Sequence, residues 1–320
     1  MEAVLVTGGA GFIGSHLCEK LLLDEYRVIC LDNFITGSRQ NIQQLISNRK
    51  FQLVEHDLIE PLPKEILDRQ DIRSIFHLAS PASPNKKSPK SYINHPVETL
   101  LVNSQGTYHL LEYARKIHGR FLYASSSEIY GDPKVSPQNE SYFGNVNPNG
   151  IRSVYDEAKR FGEALTMAYV RTHDVDGRIV RIFNTYGPRM QKDDGRVVSN
   201  FITQALSQKP ITVYGEGKQT RSFCFIDDML NGLLKALFTQ NTKGEVINLG
   251  NPDERTILEL ANKIKSLTQS SSEIIFEGLS QDDPKMRKPD IQKAKNLLQW
   301  NSEVSLDEGL KKTIAYFKSV

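Results

Sequence analysis

The chain of 320 residues is 39% hydrophobic and 24% charged, which is typical of a soluble globular protein with one extended domain or two joined ones. Forty basic and 38 acidic residues leave a net charge of +2, so charge gives no indication of a nucleic-acid partner or of a membrane surface. We therefore expect neither nucleic acid nor a membrane as a partner.

The three cysteines, Cys18, Cys30 and Cys224, do not have the spacing of metal ligands. Two of them lie in apolar stretches, so we predict small buried side chains in a reducing compartment, and no metal site. No signal peptide precedes the first predicted strand, and no apolar run approaches roughly 18 residues. These features predict a cytoplasmic protein.

A glycine-rich turn follows the first predicted strand. Residues 4–6 are apolar and suit a buried parallel strand, and helical apolar spacing covers residues 12–23. Gly8, Gly11 and Gly14 therefore lie at a strand-to-helix turn, where the backbone can approach a pyrophosphate and free amides at the helix start can bind it. The pattern predicts a dinucleotide-binding turn.

The next apolar strand, residues 27–31, ends at Asp32, which lies roughly 20 residues beyond the glycines. A carboxylate at that place can accept hydrogen bonds from the adenosine ribose hydroxyls, and it repels a ribose 2′-phosphate. We therefore expect NAD as the cofactor, with NADP the less favoured alternative. Arg39 weakens this preference because it could pair with such a phosphate.

Strands and helices then alternate. Further strands are predicted over 51–57, 74–80, 119–124 and 177–183, and helices over 96–116 and 153–173. The alternation indicates an α/β protein with a doubly wound parallel sheet of the Rossmann type, in which ligands bind outside the carboxyl ends of the strands. The connection over 132–150 is long, so we expect a binding loop or a lid there.

Beyond residue 184 the strict alternation fades. Helices are predicted near 197–207, 227–238 and 257–267 and from Leu306, and strands near 212–213, 245–248 and 273–276. We divide the chain into a Rossmann domain for NAD, residues 1–184, and a smaller C-terminal α/β substrate domain, residues 185–320. We expect the chain to return to the first domain around 225–250, and the two parts to share an interface because no linker separates them.

Tyr155 and Lys159 lie four residues apart on one face of a predicted helix. An ammonium group beside a phenol favours the phenolate, and an oxidised nicotinamide adds a second positive charge, so we expect the pKa of Tyr155 to fall towards working pH. Tyr155 could then take a hydroxyl proton as hydride leaves for the cofactor. Such a pair is more often a surface pair, but the glycine turn and the serine-rich strand end favour catalysis here.

These features resemble the extended short-chain dehydrogenase/reductase family that modifies nucleotide sugars. Longer segments are similar to those of its UDP-glucuronate decarboxylases, also called UDP-xylose synthases: 77–84, 127–133, 144–148, 181–190, 194–201, Asp282-Asp283-Pro284 and 287–290. The resemblance covers essentially the full chain. It implies that residues 185–320 form a nucleotide-sugar-binding domain.

The resemblance implies a carbon-carbon lyase whose cofactor is reduced and then reoxidised within each turnover. Tyr155 would deprotonate the sugar 4-hydroxyl while hydride passes from C4 to NAD, carbon dioxide would leave the resulting β-keto acid, and hydride would return to give UDP-xylose. Glu128, with Ser126 or Ser127, would orient the ring and manage protons, and Arg221 would contact the reacting group or the diphosphate. The implied catalytic residues are Tyr155, Lys159, Glu128, Ser126, Ser127 and Arg221.

The resemblance also implies binding residues and a partner. The expected cofactor contacts are Gly8, Gly11, Phe12, Ile13, Asp32, Asn33, Thr36, Gly37, Asp57, Leu58, Leu78, Ser80, Tyr155 and Lys159. The expected substrate contacts are Ser80, Glu128, Asn184, Val198, Tyr214, Arg221 and Arg287. Family members commonly dimerise through a four-helix bundle, so a homodimer is expected, with Leu110, Phe161 and Met167 as candidates for its face.

Two departures from the family pattern leave alternatives open. The family usually carries a lysine where this chain has Leu101, and an apolar side chain cannot donate a charge-assisted hydrogen bond to a sugar carboxylate. An added segment, residues 85–90, brings three lysines beside the site. Those lysines could replace the missing charge, although a solvated loop is the more common outcome for such a segment.

The leading alternative is a UDP-hexose dehydratase of the UDP-N-acetylglucosamine type, a carbon-oxygen lyase. Glu128 would remove the C5 proton and the C6 hydroxyl would leave as water. Family dehydratases generally place an Asp where this chain has Ser127, which favours the decarboxylase. A UDP-sugar epimerase and a non-catalytic cofactor-sensing protein are further alternatives.

Overall fold

The computed structural model describes residues 2–278 and 286–320. The Asp282-Asp283-Pro284 segment of the family resemblance lies outside the described residues. The strands are β1 (Ala3–Thr7), β2 (Arg27–Asp32), β3 (Phe51–Glu55), β4 (Ile72–His77), β5 (Arg120–Ser126), β6 (Asp176–Ile182), β7 (Thr185–Tyr186), β8 (Ile211–Tyr214), β9 (Thr220–Ser222), β10 (Cys224–Phe225), β11 (Val246–Leu249), β12 (Glu254–Thr256) and β13 (Ile274–Glu277).

The helices pack around these strands. They are α1 (Phe12–Leu23), α2 (Lys64–Leu67), α3 (Pro96–Leu101), α4 (Thr107–Ile117), α5 (Ser153–His173), α6 (Val197–Leu206), α7 (Ile226–Phe238), α8 (Ile257–Thr268), α9 (Gln292–Leu298) and α10 (Leu306–Ser319). Within the described residues, no helix is both long and apolar enough to cross a membrane.

The central sheet is parallel throughout. Among the described residues it contains seven strands in the order β11-β6-β5-β4-β1-β2-β3. Strand β1 is buried along its whole length because helices cover both faces of the sheet: α1 and α7 on one face, α4 and α5 on the other. The predicted doubly wound Rossmann sheet is confirmed. The winding direction reverses at β1, which opens a crevice at the carboxyl ends of β1 and β4.

The second half of the chain adds small sheets beside that crevice. Strands β7 and β10 pair in parallel, as do β8 and β13, whereas β9 and β12 are antiparallel. One continuous apolar core joins both halves, since Phe76 under the sheet and Leu260 and Leu310 in the second half belong to the same buried cluster. The expected shared interface is therefore present.

The helix predicted over 96–116 is interrupted by a π-helical turn at Val102–Gly106, between α3 and α4. Asn103 in this turn is fully buried, donates to the Ser80 hydroxyl at 2.9 Å and accepts from the Tyr123 hydroxyl at 2.8 Å. Wide helical turns of this kind often occur at functional sites. Here the turn places an amide side chain behind the crevice, which apolar periodicity could not predict.

Candidate active site

A single cavity of about 830 Å³ lies at the carboxyl ends of the central strands, between the two halves of the chain. It is lined by every expected catalytic, cofactor and substrate residue except Gly37. Gly37 packs behind Asp32, because a Cβ at this position would lie 2.7 Å from the carboxylate Oδ1. The residues that sequence motifs singled out separately therefore share one site.

The glycine turn forms one wall of the cavity from backbone alone. Gly8 has a φ of +71°, and a Cβ there would lie 2.7 Å from the amide nitrogen of Ala79. A Cβ at Gly14 would lie 2.1 Å from the carbonyl oxygen of Gly8. Helix α1 begins without a side-chain cap, so the amides of its first turn are available to an anion. This wall fits the diphosphate of a dinucleotide.

Asp32 lies at the end of β2, beside the glycine turn. Its two carboxylate oxygens accept hydrogen bonds from the amides of Ala10, at 2.9 Å, and Phe34, at 2.8 Å. Burial raises the pKa of Asp32, while these two amides act in the opposite direction. The Arg39 guanidinium lies 4.2 Å from the Phe34 ring centroid and forms an ion pair with Glu55. A carboxylate fixed in this way is suited to accepting ribose hydroxyls.

Tyr155 and Lys159 project from α5 into the cavity. Their side chains are buried, and the Lys159 ammonium lies 5.7 Å from the Tyr155 ring centroid and donates to the carbonyl of Ala124 at 2.9 Å. Burial raises the pKa of Tyr155 to about 12, although a hydrogen bond with Ser126 opposes this rise. Burial also lowers the pKa of Lys159 to about 7. The groups of the chain itself therefore do not produce the expected fall in the pKa of Tyr155, because desolvation disfavours both charged forms.

The lowered pKa of Lys159 makes stability depend on pH. The folded pKa of about 7 lies below the ordinary value of 10.5, so the unfolded chain binds a proton that the folded chain lacks between these values. We expect the free energy of unfolding of the wild type to rise relative to that of Lys159→Met as pH increases through this window. Urea titrations at several pH values measure this difference. A difference that stays constant would contradict the lowered pKa.

Glu128, in the turn after β5, is clamped between two arginines. Its carboxylate pairs with Arg152 at 2.5 Å and makes a close contact with Arg287, and the exposed fractions of the three side chains are 16%, 13% and 3%. Burial favours the neutral acid, but the two guanidinium groups outweigh it and lower the pKa of Glu128 to about 2. The structure thus places Arg287, expected near the UDP portion, directly against Glu128.

Several residues at the site were not singled out from the sequence. Arg152 is the N-cap residue of α5, directly before the first residue of the predicted helix, so the helical spacing that singled out Tyr155 did not extend to it. Tyr92 stacks on Tyr155 with ring centroids 5.0 Å apart and an interplanar angle of 14°. It lies in an irregular segment, where periodicity gives no signal. Arg196 also lines the cavity and pairs with Asp194 at 2.5 Å.

The second half of the chain supplies the opposite wall. Asn184, Val198, Tyr214 and Arg221 line it, and Tyr214 is 39% exposed, so it is not a core residue. The expectation that residues 132–150 form a binding loop or lid is wrong, because none of them lines the cavity. This loop instead packs against neighbouring backbone. The side chain of Glu140, for example, accepts from the amide of Asn248 at 2.9 Å.

Two further expectations concern side-chain placement. Lys86, Lys87 and Lys90 line the cavity, and Lys86 and Lys87 are also exposed, as expected of a solvated loop. Leu101 is half-buried and does not line the cavity. Leu110, a candidate for a dimer face, is fully buried in the core, so that assignment is wrong.

Sequence comparison with known proteins gives matches that cover most or nearly all of the chain. The profile of the NAD-dependent epimerase/dehydratase family matches residues 4–250. The chain is 51% identical over 316 residues to UDP-glucuronic acid decarboxylase 1 of Danio rerio, covering 99% of this chain and 72% of that protein. It is 50% identical over 308 residues to UDP-glucuronic acid decarboxylase 3 of Arabidopsis thaliana, covering 96% of this chain and 86% of that protein.

Solved structures of two 4-epimerases have a similar fold. The UDP-glucuronic acid 4-epimerase of Bacillus cereus, in complex with UDP-glucuronic acid and NAD, superposes with a TM-score of 0.86 at 33% identity, covering 99% of each chain. The UDP-glucose 4-epimerase of Thermotoga maritima, with UDP-glucose, superposes with a TM-score of 0.87 at 30% identity, again covering 99% of each chain.

Proposed function

Because the chain belongs to the NAD-dependent epimerase/dehydratase family, we propose that it converts UDP-glucuronate to UDP-xylose and carbon dioxide. The observation that carries this proposal is the identity of 50–51% with UDP-glucuronic acid decarboxylases over nearly the full chain. The cavity adds the chemistry, since it brings Tyr155, Lys159 and Glu128 together. Residues 1–184 would hold the cofactor and residues 185–320 the nucleotide sugar.

The glycine turn, Asp32 and the Tyr155/Lys159 pair fit a nicotinamide dinucleotide. When bound, NAD supplies an acceptor for the C4 hydrogen of the sugar and then a donor that returns it, so turnover involves no net redox change. Residues of the chain accept and return the protons that accompany this transfer. Tyr155 takes the proton of the 4-hydroxyl, while Ser126 holds its phenol oxygen by a hydrogen bond. Lys159 places positive charge beside the phenolate that forms.

Loss of carbon dioxide follows from the chemistry of the 4-keto sugar. Its ketone lies β to the C6 carboxylate, so the electron pair of the breaking C5–C6 bond passes to the ketone oxygen and gives an enolate. Tyr155, which carries a proton at this point, donates a hydrogen bond to the C4 oxygen and stabilises the negative charge that develops there. C5 then takes up a proton from water, which restores the ketone. As the hydrogen returns to C4, Tyr155 gives its proton back to the oxygen at C4.

The ionisation of Glu128 favours decarboxylation over dehydration. A carboxylate whose pKa is lowered to about 2 by Arg152 and Arg287 is a good hydrogen-bond acceptor and a weak base. Dehydration requires removal of the C5 proton, whereas decarboxylation breaks the C5–C6 bond without it. We therefore assign to Glu128 the orientation of the sugar ring, with Ser127 beside it.

Product mass tests the function. The purified protein is incubated separately with UDP-glucuronate and with UDP-N-acetylglucosamine. We expect UDP-glucuronate to lose the mass of carbon dioxide and UDP-N-acetylglucosamine to remain unchanged. Loss of water from the second substrate would indicate a dehydratase. A product of UDP-glucuronate with unchanged mass and altered C4 configuration would indicate an epimerase, and no reaction of UDP-glucuronate would overturn the proposal.

We expect NAD to bind at least about 100-fold more tightly than NADP. The buried Asp32 carboxylate repels a ribose 2′-phosphate, and such like-charge contacts cost several kcal/mol. Arg39, which could have paired with that phosphate, is engaged by Glu55. Calorimetric titration with both cofactors, in wild type and in Asp32→Asn, measures the preference. Equal affinities in the wild type would contradict this account of Asp32.

We further propose a homodimer that uses the exposed side of α4 and α5, where Phe161 is 51% and Tyr108 is 47% exposed. Met167, the remaining candidate, is half-buried and packs on the core of its own chain. We also propose a cytoplasmic location, which the three free and buried cysteines support.

A further inference from the structure

We propose that Lys86, Lys87 and Lys90 form the recognition site for the carboxylate of the sugar, so that the loop carrying them selects acidic over neutral UDP-sugars. We call residues 83–95 the lysine loop. The proposal rests on the proposed function, since it takes the substrate to be a UDP-sugar with a carboxylate. All three lysines line the same cavity as Tyr155.

The lysine loop is held in shape by its own hydrogen bonds. The carbonyl of Ser83 accepts from the amide of Tyr92 at 3.0 Å and from the hydroxyl of Ser91 at 2.9 Å, which closes the loop at its base. The side chain of Asn94 donates to the carbonyl of Ser88 at 2.7 Å and to that of Lys86 at 3.0 Å. The lysines therefore project from a defined backbone.

The loop is also attached to the opposite wall of the cavity. The hydroxyl of Ser83 donates to the carbonyl of Asp194, and the side chain of Asn85 donates to the carbonyl of Asp193 at 3.4 Å. Gly195 has a φ of +76°, and a Cβ there would lie 2.2 Å from the Cβ of Asn85. The backbone of the second half thus approaches Asn85 at a distance that only glycine allows.

The stacking of Tyr92 on Tyr155 places the loop at the reacting end of the cavity. Tyr92 is 1% exposed, and its ring lies parallel to that of Tyr155 with centroids 5.0 Å apart. Tyr155 acts at C4 in the proposed reaction, and the carboxylate is attached to the adjacent C5. A loop that packs on Tyr155 is therefore placed closer to the carboxylate than to the uridine.

Among the described residues, five other positive groups line the cavity, and each already has a partner within the chain. Arg221 donates to the carbonyl of Thr220 at 2.9 Å. Arg152 and Arg287 pair with Glu128, and Arg196 pairs with Asp194. Lys159 donates to a backbone carbonyl and has its pKa lowered to about 7 by burial. These groups are not available to neutralise an additional carboxylate.

The lysine loop supplies the charge that the neighbouring helix does not. Helix α3 and the turn after it present Glu98 and Val102 to the cavity, one acidic and one apolar. The ammonium groups of Lys86, Lys87 and Lys90 form no hydrogen bond or ion pair with any other residue in the described ranges. A carboxylate that leaves water requires a charged partner, and a flexible ammonium donates to it from several directions.

The test compares two ligands that differ by the carboxylate alone. In the triple variant Lys86→Ala/Lys87→Ala/Lys90→Ala, we expect the KM for UDP-glucuronate to rise about tenfold, which corresponds to about 1.4 kcal/mol. We expect the inhibition constant of UDP-xylose and the affinity for NAD to stay within about twofold, and kcat to change little. The triple Lys→Arg variant keeps the charge and should restore the KM.

A matched control removes the same number of charges elsewhere. Lys209, Lys311 and Lys318 are exposed and do not line the cavity, so Lys209→Ala/Lys311→Ala/Lys318→Ala should leave the KM unchanged. Equal weakening of UDP-glucuronate and UDP-xylose would assign the lysines to the diphosphate and overturn the proposal, as would an unchanged KM. The midpoint of thermal unfolding of the triple Lys→Ala variant shows whether it has a folding defect. If it does, the Lys→Gln variants at the same three positions replace it. Failure of the proposed function can be distinguished from failure of the proposed role of the lysines, since the wild type itself would then release no carbon dioxide from UDP-glucuronate.

Discussion

In Tyr155→Phe we expect kcat for UDP-xylose formation to fall by about 100- to 10,000-fold, while NAD remains bound. The variant removes the only atom that takes the 4-hydroxyl proton in the proposed reaction. It keeps the aromatic ring that stacks on Tyr92 at 5.0 Å, so the cavity should retain its shape. Release of carbon dioxide measures turnover, and calorimetric titration measures cofactor affinity.

The matched control is Tyr169→Phe. Tyr169 is a buried tyrosine on the same helix, and its hydroxyl bonds to Glu112 outside the cavity. This variant should retain wild-type turnover, although it loses one hydrogen bond. Turnover of Tyr155→Phe at the wild-type rate would contradict the acid-base assignment, and loss of NAD binding together with turnover would mean that the substitution disturbs the cofactor site.

Removing the charge of Glu128 should have the second large effect. In Glu128→Gln the guanidinium groups of Arg152 and Arg287, which are 13% and 3% exposed, lose their counter-charge. Breaking one partner of such a buried pair typically costs about 3 kcal/mol or more, and we expect about 2–3 kcal/mol here because Glu128 keeps some solvent contact. Urea denaturation of both proteins measures the loss. Turnover should fall as well, since the ring loses its orienting acceptor.

The effect of Glu128→Gln should depend on pH with a defined sign. The folded pKa of Glu128 is about 2 and its ordinary value is 4.5, so its stabilising contribution is complete above about 4.5 and disappears as pH falls towards about 2. The stability difference between wild type and variant should therefore shrink over this window. Glu157→Gln is the control, because Glu157 is 39% exposed and pairs with Arg160 on the surface. A stability difference between wild type and Glu128→Gln that does not change with pH would contradict an ionised Glu128 paired with Arg152 and Arg287.

Much of the fold and part of the site follow from local sequence patterns. Gly8, Gly11 and Gly14 identify the dinucleotide turn because its geometry tolerates no side chain, and the strand that ends at Asp32 follows at the expected spacing. Tyr155 and Lys159 share a helical face, and the predicted helix over 153–173 has the observed bounds. In each case the information lies within one or two adjacent elements.

The remaining features depend on contacts between distant segments. Glu128 and Arg287 are 159 residues apart in sequence, so their ion pair could not be predicted from spacing. The π-helical turn that carries Asn103 depends on its packing against Ser80 and Tyr123, and helical apolar spacing continues through it. The expected fall in the pKa of Tyr155 considered nearby charges but not burial, which the sequence does not specify.

The most direct test of the account uses UDP-glucuronate deuterated at C4, incubated with the purified protein and with NAD in an amount far below that of the substrate. The account predicts UDP-xylose that keeps the deuterium at C4, with one carbon dioxide released for each molecule formed and no accumulation of reduced cofactor. Loss of the deuterium to solvent, or a product that keeps the C6 carboxylate, would contradict the proposed decarboxylation with internal return of hydride.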